Sequence, residues 1–411
     1  MVYFVWKIGG SMENKYKLNK NEIILLIIEG IKICVSSFSG PFLVAFYISL
    51  TLANIEAYSI YKIVTNVIAL IFSFIISRFI KKKNKIVSFR LGILINIVYL
   101  LSMILLKDNI INNSWLLGIF LGLSNAFYYM PFNYIVSNGI RGEVMTKWAS
   151  FKSNITSVIN ILLPLILGIL LTYFNYYDIA IIFVVIQFFA FIISFLYNGV
   201  DKKLPTFSIR KYLNAVKKAD ATGKFKTQYA IDFFNGFTFS SSALESVITI
   251  FVMLSFKTNL NLGIFTSVFT IINFIIALNL SKIKNKDVFP KIMLVSVVLI
   301  VSSIIYFILS TSTYSLITYN LTYNVAYVVI SIITYVSTFA TVNSVKEIKK
   351  AYQLEHFSVR EFFLCLGRIM SFSFLFIVSL LNNILYYKLL IGVYTLSIIT
   401  MNYLVYKLYK K

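Results

Sequence analysis

Histidine occurs once in this chain of 411 residues, cysteine twice and proline five times, and acidic residues number only 15 against 38 lysines and arginines. Each scarcity removes a class of function. The one histidine, His356, has no cysteine or histidine at ligand spacing, so no zinc centre of the usual composition is expected. Cys34 and Cys365 both fall inside apolar runs far apart in sequence and read as packing residues, which argues against a disulfide framework. No glycine-rich phosphate loop occurs, so the chain carries no ATPase of its own. Neither an enzymatic constellation nor a cofactor signature is present, and the chain reads as a non-enzyme.

Apolar residues, by contrast, are abundant. They make up 59% of the chain, with a mean hydropathy of +0.84, far above what a water-soluble core of this size can hide. A bilayer core roughly 30 Å thick is spanned by about 20 helical residues. Twelve stretches meet that length: 23–50, 56–77, 87–106, 113–138, 150–173, 177–198, 228–255, 260–280, 289–310, 315–343, 360–382 and 386–406. The first is too long for a signal-peptide core and is read as a retained helix, with Met12 an alternative start. The fold class is an all-α polytopic membrane protein.

The excess of positive charge is ordered along the chain. All but six of the lysines and arginines lie on alternate segments: the N-terminus, Arg78–Arg90, Arg141–Lys152, Lys202–Lys226, Lys282–Lys291, Lys346–Arg360 and Lys407–Lys411. Lys107, Lys257 and Lys388 fall on the opposite side; Lys32, Lys62 and Arg368 fall within spans. This asymmetry predicts a cell-membrane protein with both termini cytoplasmic. Its basic loops would rest on anionic lipid headgroups. Nucleic acid is not expected as a partner, because no aromatic and basic recognition module accompanies the charge.

The longest basic loop follows span six. Ile209, Tyr212, Leu213 and Val216 recur there at helical spacing against Arg210, Lys211, Lys217 and Lys218, which predicts a short amphipathic helix lying on the membrane surface. It divides the chain into an N-terminal six-helix bundle (1–198), a basic linker (199–227) and a C-terminal six-helix bundle (228–411). The halves carry a faint repeat: Ser77–Lys85 between spans two and three is echoed by Ser281–Lys286 between spans eight and nine. Internal duplication around a midplane site is common in membrane carriers.

Six plus six spans with this loop arrangement resemble the major facilitator superfamily. The loop after span two, Ser73-Phe74-Ile75-Ile76-Ser77-Arg78-Phe79-Ile80-Lys81-Lys82, is similar to that family's Gly-x-x-x-Asp-Arg-x-Gly-Arg-Arg at Arg78, Lys81 and Lys82. Both glycines and the aspartate are absent. In span five, Pro164 and Gly168 match part of the Gly-Pro-x-x-Gly-Gly kink of family exporters; a kink that merely packs helices explains them as well. The resemblance implies two bundles rocking about a central cavity to move a small solute, with Arg78, Lys81 and Lys82 at a cytoplasmic gate. On the span-five remnant and the aromatic content, export of an amphipathic compound is favoured over uptake. A lipid-linked saccharide flippase and a non-transporting sensor or assembly protein stand as alternatives.

Ionisable residues inside spans mark pathways or buried pairs. Glu29 and Lys32 share a helix face in span one and could pair. Ser36, Ser37, Ser39, Gly40 and Pro41 follow them as a breakable turn near mid-membrane. In span seven, Glu245 follows Ser240, Ser241 and Ser242. A carboxylate facing a cavity there is the favoured proton-coupling residue, with Glu29 second, so protons are expected partners. Asp232 reads as a solvated helix-start residue. Arg368, deep in span eleven, needs a partner; Glu245 and Glu29 are candidates, Glu361 lies two turns away on its face, and an anionic substrate is another option. Lys62 is placed near enough to the outer interface to snorkel. Polar stripes at Asn125, Tyr129 and Asn133 in span four, and at Tyr319, Asn320, Tyr323, Asn324 and Tyr327 in span ten, either line a substrate cavity or bond helix to helix.

Overall fold

A polypeptide in hydrocarbon must satisfy its backbone internally, and long apolar stretches without an edge partner do so as helices. The computed structural model describes residues 18–50, 54–81, 85–140, 142–198, 206–220, 223–281, 289–310, 312–343, 345, 348, 351–381 and 383–410. Met12, Lys82, Arg141, Lys202 and most of the repeat segment after span eight lie outside them. Among the described residues, twelve helices are long and apolar enough to cross a membrane. Spans one to six are Lys20–Ser49, Ile55–Ile80, Lys85–Leu106, Ser114–Gly139, Gly142–Tyr173 and Tyr176–Ser194. Spans seven to twelve are Lys224–Phe256, Asn259–Ser281, Phe289–Leu309, Thr313–Asn343, Gln353–Leu381 and Ile384–Lys410.

Most ends agree with the apolar windows to within a few residues. Spans five and eleven run seven to eight residues further at their starts, taking in Glu143 and Lys147, and Glu355 and His356. A helix need not end where the apolar window ends, since backbone hydrogen bonding continues wherever a packed neighbour remains. His356, expected in a loop, is therefore a helical and fully buried residue.

Spans three, six, nine and twelve turn exposed Val98, Phe189, Val298 and Leu396 outward, the side a bilayer would cover. Spans five and eight also expose apolar side chains, among them Leu162, Ile166, Val268 and Ile271, while spans one and seven are the most deeply enclosed. Across the halves, span two packs along span eleven and span five along span eight. Small residues permit the closest approaches. A Cβ on Gly263 of span eight would stand 2.4 Å from the Pro164 carbonyl oxygen, and one on Gly168 would stand 2.9 Å from that of Asn259. Pro164 and Gly168 thus serve the contact between spans five and eight, the packing side of the two sequence readings. Within the second half, Gly236 and Gly367 bring spans seven and eleven together in the same way.

Spans one and seven are both interrupted. In span one the chain passes through a π-helical turn at Phe38–Phe42, with Gly40 at φ −96° and ψ −110°, where Pro41 withholds its backbone donor. Span seven consists of two helices, Lys224–Thr238 and Ala243–Phe256, joined through Ser241 at φ 55°. The serine run marked this place, but the break itself was not anticipated.

The linker helix, Ile209–Ala219, forms as expected, with Ser208 accepting from the Lys211 amide. Part of its apolar face is turned to the protein itself. Tyr212 and Val216 are buried against Phe225, Tyr229, Ile348 and Val359, while Leu213 stays exposed. Tyr212 meets the Nδ1 of His356 at 2.8 Å and also bonds Tyr229. Burial pushes the Tyr212 phenol well above its ordinary range, which keeps it a neutral hydrogen-bonding group.

Candidate functional site

The interruptions of spans one and seven open onto a central cavity of about 620 Å³. Span one contributes Lys32, Ser36, Ser39, Gly40 and Pro41, and span seven contributes Ser240, Ser241, Ser242, Glu245, Ser246 and Thr249. Lys62 and Asn66 enter from span two, Asn125, Tyr129 and Asn133 from span four, and Arg360, Glu361 and Arg368 from span eleven. Both halves therefore wall one chamber, whose lining residues are mostly polar while its surface divides almost evenly between polar and apolar atoms.

Several of these charges have fixed partners. Glu29 pairs with Lys152 at 2.7 Å and accepts from the Tyr128 hydroxyl at 2.8 Å. It does not line the cavity, and Lys32 is not its ion-pair partner. Lys32 donates instead to Asn96 Oδ1 at 3.1 Å, with Tyr128 and Tyr129 ring centroids 5.5 and 6.0 Å from its ammonium. Local spacing proposed the Glu29–Lys32 pair; a lysine from span five reached the carboxylate first.

Arg368 pairs with neither Glu245 nor Glu29. Its Nη1 donates to Glu361 at 2.9 Å, its Nε to the Ser240 carbonyl at 2.7 Å and its Nη2 to the Ser240 hydroxyl at 2.9 Å. The guanidinium thus closes off the end of the first half of span seven, where carbonyls are left without helical donors and the helix dipole favours a cation. Asp232, expected in solvent, is 1% exposed and pairs with Arg360 at 3.4 Å.

Glu245 has no such anchor. It is exposed in the first turn of the second half of span seven, on the cavity wall. Lys62 stands over the Tyr58 and Tyr61 rings, 5.6 and 5.2 Å from their centroids, and feels the charge of Glu245. Snorkelling to an interface does not describe it: Lys62 lines the cavity. Sequence reading passed it over because seven residues from a span's end is within snorkelling reach, and no local pattern separates the two positions.

The polar stripe of span four, Asn125, Tyr129 and Asn133, faces this cavity. That of span ten does not: Tyr319, Asn320, Tyr323 and Asn324 do not line this cavity. Tyr319 and Tyr323 stack on one another and on Phe307 and Phe239. Asn324 bonds Asn320 within its helix and receives Asn273 of span eight at 2.8 Å. Four-residue spacing fixes a shared helix face but not what that face meets.

At the end bearing the basic loops, the halves are latched. Lys81 closes on Glu355 at 2.6 Å with side chains 3% and 0% exposed, and Glu355 also accepts from the Ser208 amide at 3.0 Å. Beside them Ser358 donates to Ser77 at 2.8 Å, and Asn138 donates to Gln353 at 2.7 Å. Arg78 is exposed. At the opposite end, Ser246 of span seven donates to the Tyr58 hydroxyl of span two at 3.3 Å.

No protein-family model matches the chain. It is 22% identical over 371 residues to the uncharacterized protein YqgE of Bacillus subtilis (strain 168), covering 89% of this chain and 84% of that one. In structure it is similar to the nucleoside transporter NupG, with a TM-score of 0.66 at 11% identity, over 96% of this chain and all of that one. It is also similar to a bacterial homologue of the iron transporter ferroportin in its outward-facing state, with a TM-score of 0.63 at 15% identity over the same shares. The inward-facing state of that homologue gives 0.62, so likeness to these two states does not separate them.

Proposed function

We propose that this chain, which has the fold of the major facilitator superfamily, is a proton-coupled secondary transporter of a small polar solute, working by alternating access. The basic loops and both termini face the cytoplasm. The observation that carries the reading is the central chamber: both halves wall it, two interrupted helices open onto it, and an exposed carboxylate, Glu245, and a lysine, Lys62, both line it. Discontinuous helices flanking a midplane cavity present backbone groups to solutes, and rocking of one bundle against the other exposes the cavity to each side in turn.

Glu245 is the proton carrier. Ionised, it offsets the charge of Lys62; protonated, it leaves that lysine free to act on the solute or on the facing half. Glu29 is a structural anion, already bonded twice. The serines, asparagines and cations of the lining support a polar solute over an amphipathic one, and the likeness to NupG, a nucleoside transporter, and to a homologue of the iron transporter ferroportin accords with that. With Pro164 and Gly168 assigned to helix contact, nothing specific favours export.

The test uses purified protein in proteoliposomes enclosing a pH-sensitive dye. Solutes that drive proton movement through the wild type are expected to drive none through Glu245→Gln, while still binding to it. Unchanged proton flux in that variant removes Glu245 from the coupling step.

A further inference from the structure

The cavity holds more cations than the protein pairs. Lys152, Arg360 and Arg368 each have a carboxylate partner, in Glu29, Asp232 and Glu361. Lys62 and Lys32, the latter 3% exposed, have no ion pair among the described residues. Lys62 feels the exposed Glu245, whereas the carboxylate acting on Lys32 is Glu29, already held by Lys152 and Tyr128. The one hydrogen-bonded acceptor of Lys32 among the described residues is Asn96 Oδ1 at 3.1 Å. The Ser124 hydroxyl, 3.2 Å from the same oxygen, has a single proton and the Gly92 carbonyl at 3.1 Å to give it to.

The Lys32 contact fixes the Asn96 amide. Turning it over would set its NH₂ against an ammonium, so its nitrogen must point the other way. The Nδ2 of Asn96 is buried and has no hydrogen-bond partner among the described residues, in a residue that is fully buried and lines the cavity. An ammonium has three donors and an amide nitrogen two. Together they present several donors, one positive charge and no waiting acceptor. Buried donors left so are costly, and the group that satisfies them best is an anion.

From this we infer that the cavity takes an organic anion, whose carboxylate or phosphate group docks on Lys32 and Asn96. The inference rests on the transporter reading for its purpose, but it concerns equilibrium binding, which is measured whether or not flux occurs. Arg368, another deep cation, is not the anchor, because all three of its nitrogens are engaged within the protein, and Lys62 already has the carboxylate of Glu245 acting on it. The rest of the chamber, with Leu121, Leu364 and Phe372 among the polar side chains, has room for the remainder of an organic solute.

The test measures thermal stabilisation of the purified full chain in detergent by benzoate, succinate and inorganic phosphate. Tetraphenylphosphonium serves as a cationic probe and adenosine as a neutral one. At least one anion is expected to stabilise the wild type and Lys211→Gln, a control on the exposed face of the linker helix. The same anion should bind Lys32→Gln about tenfold to a hundredfold more weakly, and Lys32→Arg should recover part of the loss. The carboxylates and phosphate distinguish the two headgroups.

Asn96→Asp keeps the inference testable should Lys32→Gln fold poorly. It gives Lys32 an internal carboxylate, so it should melt higher than the wild type and no longer respond to anions. Equal binding to wild type and Lys32→Gln overturns the Lys32 anchor, and continued response in Asn96→Asp does the same. Stabilisation by the cationic or neutral probe alone, or by no anion at all, overturns the anionic class and leaves the transporter reading standing.

Discussion

Lys81→Ala is expected to weaken the closed arrangement of the basic end by about 3–5 kcal/mol, the cost of leaving a buried charge without its partner. Glu355 is fully buried, its Oε1 is held by Lys81 and by the Ser208 amide, and its Oε2 has no hydrogen-bond partner. With the ammonium gone, one backbone donor remains to hold an ionised carboxylate between the halves. A shift of that size moves a two-state equilibrium by roughly a hundredfold to a few thousandfold. It is read as the rate at which a maleimide modifies Ser358→Cys, a position buried beside the latch. The double change Lys81→Met with Glu355→Leu should restore most of the protection, because it leaves no orphaned charge. If the single and double variants label alike, the ion pair is not what holds this end shut.

The second large effect is at Arg368. Arg368→Met removes the cation beside Glu361 and strips the donors from the Ser240 carbonyl and hydroxyl in one step. Glu361 retains partial exposure to the cavity, 25% for its side chain, which softens the loss. About 2–3 kcal/mol is expected, chiefly from the unsatisfied Ser240 groups. The break in span seven should loosen with it, so hydrogen exchange at residues 239–242 should quicken more than at the matching break around Gly40. Unchanged exchange there would mean that the loop holds its shape without the guanidinium.

These contacts show how far the sequence could be read. Spans were legible because bilayer thickness imposes a length and an apolar run displays it. Gly40–Pro41 was legible as a break because proline withholds a donor wherever it stands. The break at Ser240–Ser242 was not, since serine is tolerated in helices; only Arg368, 128 residues away, makes the freed carbonyl bearable. Glu29 offered Lys32 a partner by local spacing, and packing supplied Lys152 instead. Lys81 stood in a recognisable motif, yet its acceptor lies 274 residues further on. The tyrosines of span ten shared a face as expected, but a span apolar on all sides does not reveal which face meets a cavity and which a neighbouring helix.

The most direct test of alternating access is to tie the halves together at the latch and ask which side still reaches the cavity. With Cys34 and Cys365 replaced by serine, Ser77→Cys and Ser358→Cys can be joined as a disulfide, since their hydroxyls already meet at 2.8 Å. Asn125→Cys, on the cavity wall, then reports access to a membrane-impermeant maleimide in vesicles of either orientation. Alternating access predicts labelling from both faces when the latch is reduced, and only from the face opposite the basic loops when it is oxidised. Labelling from a single face under both conditions, or from both faces with the latch locked, would contradict it.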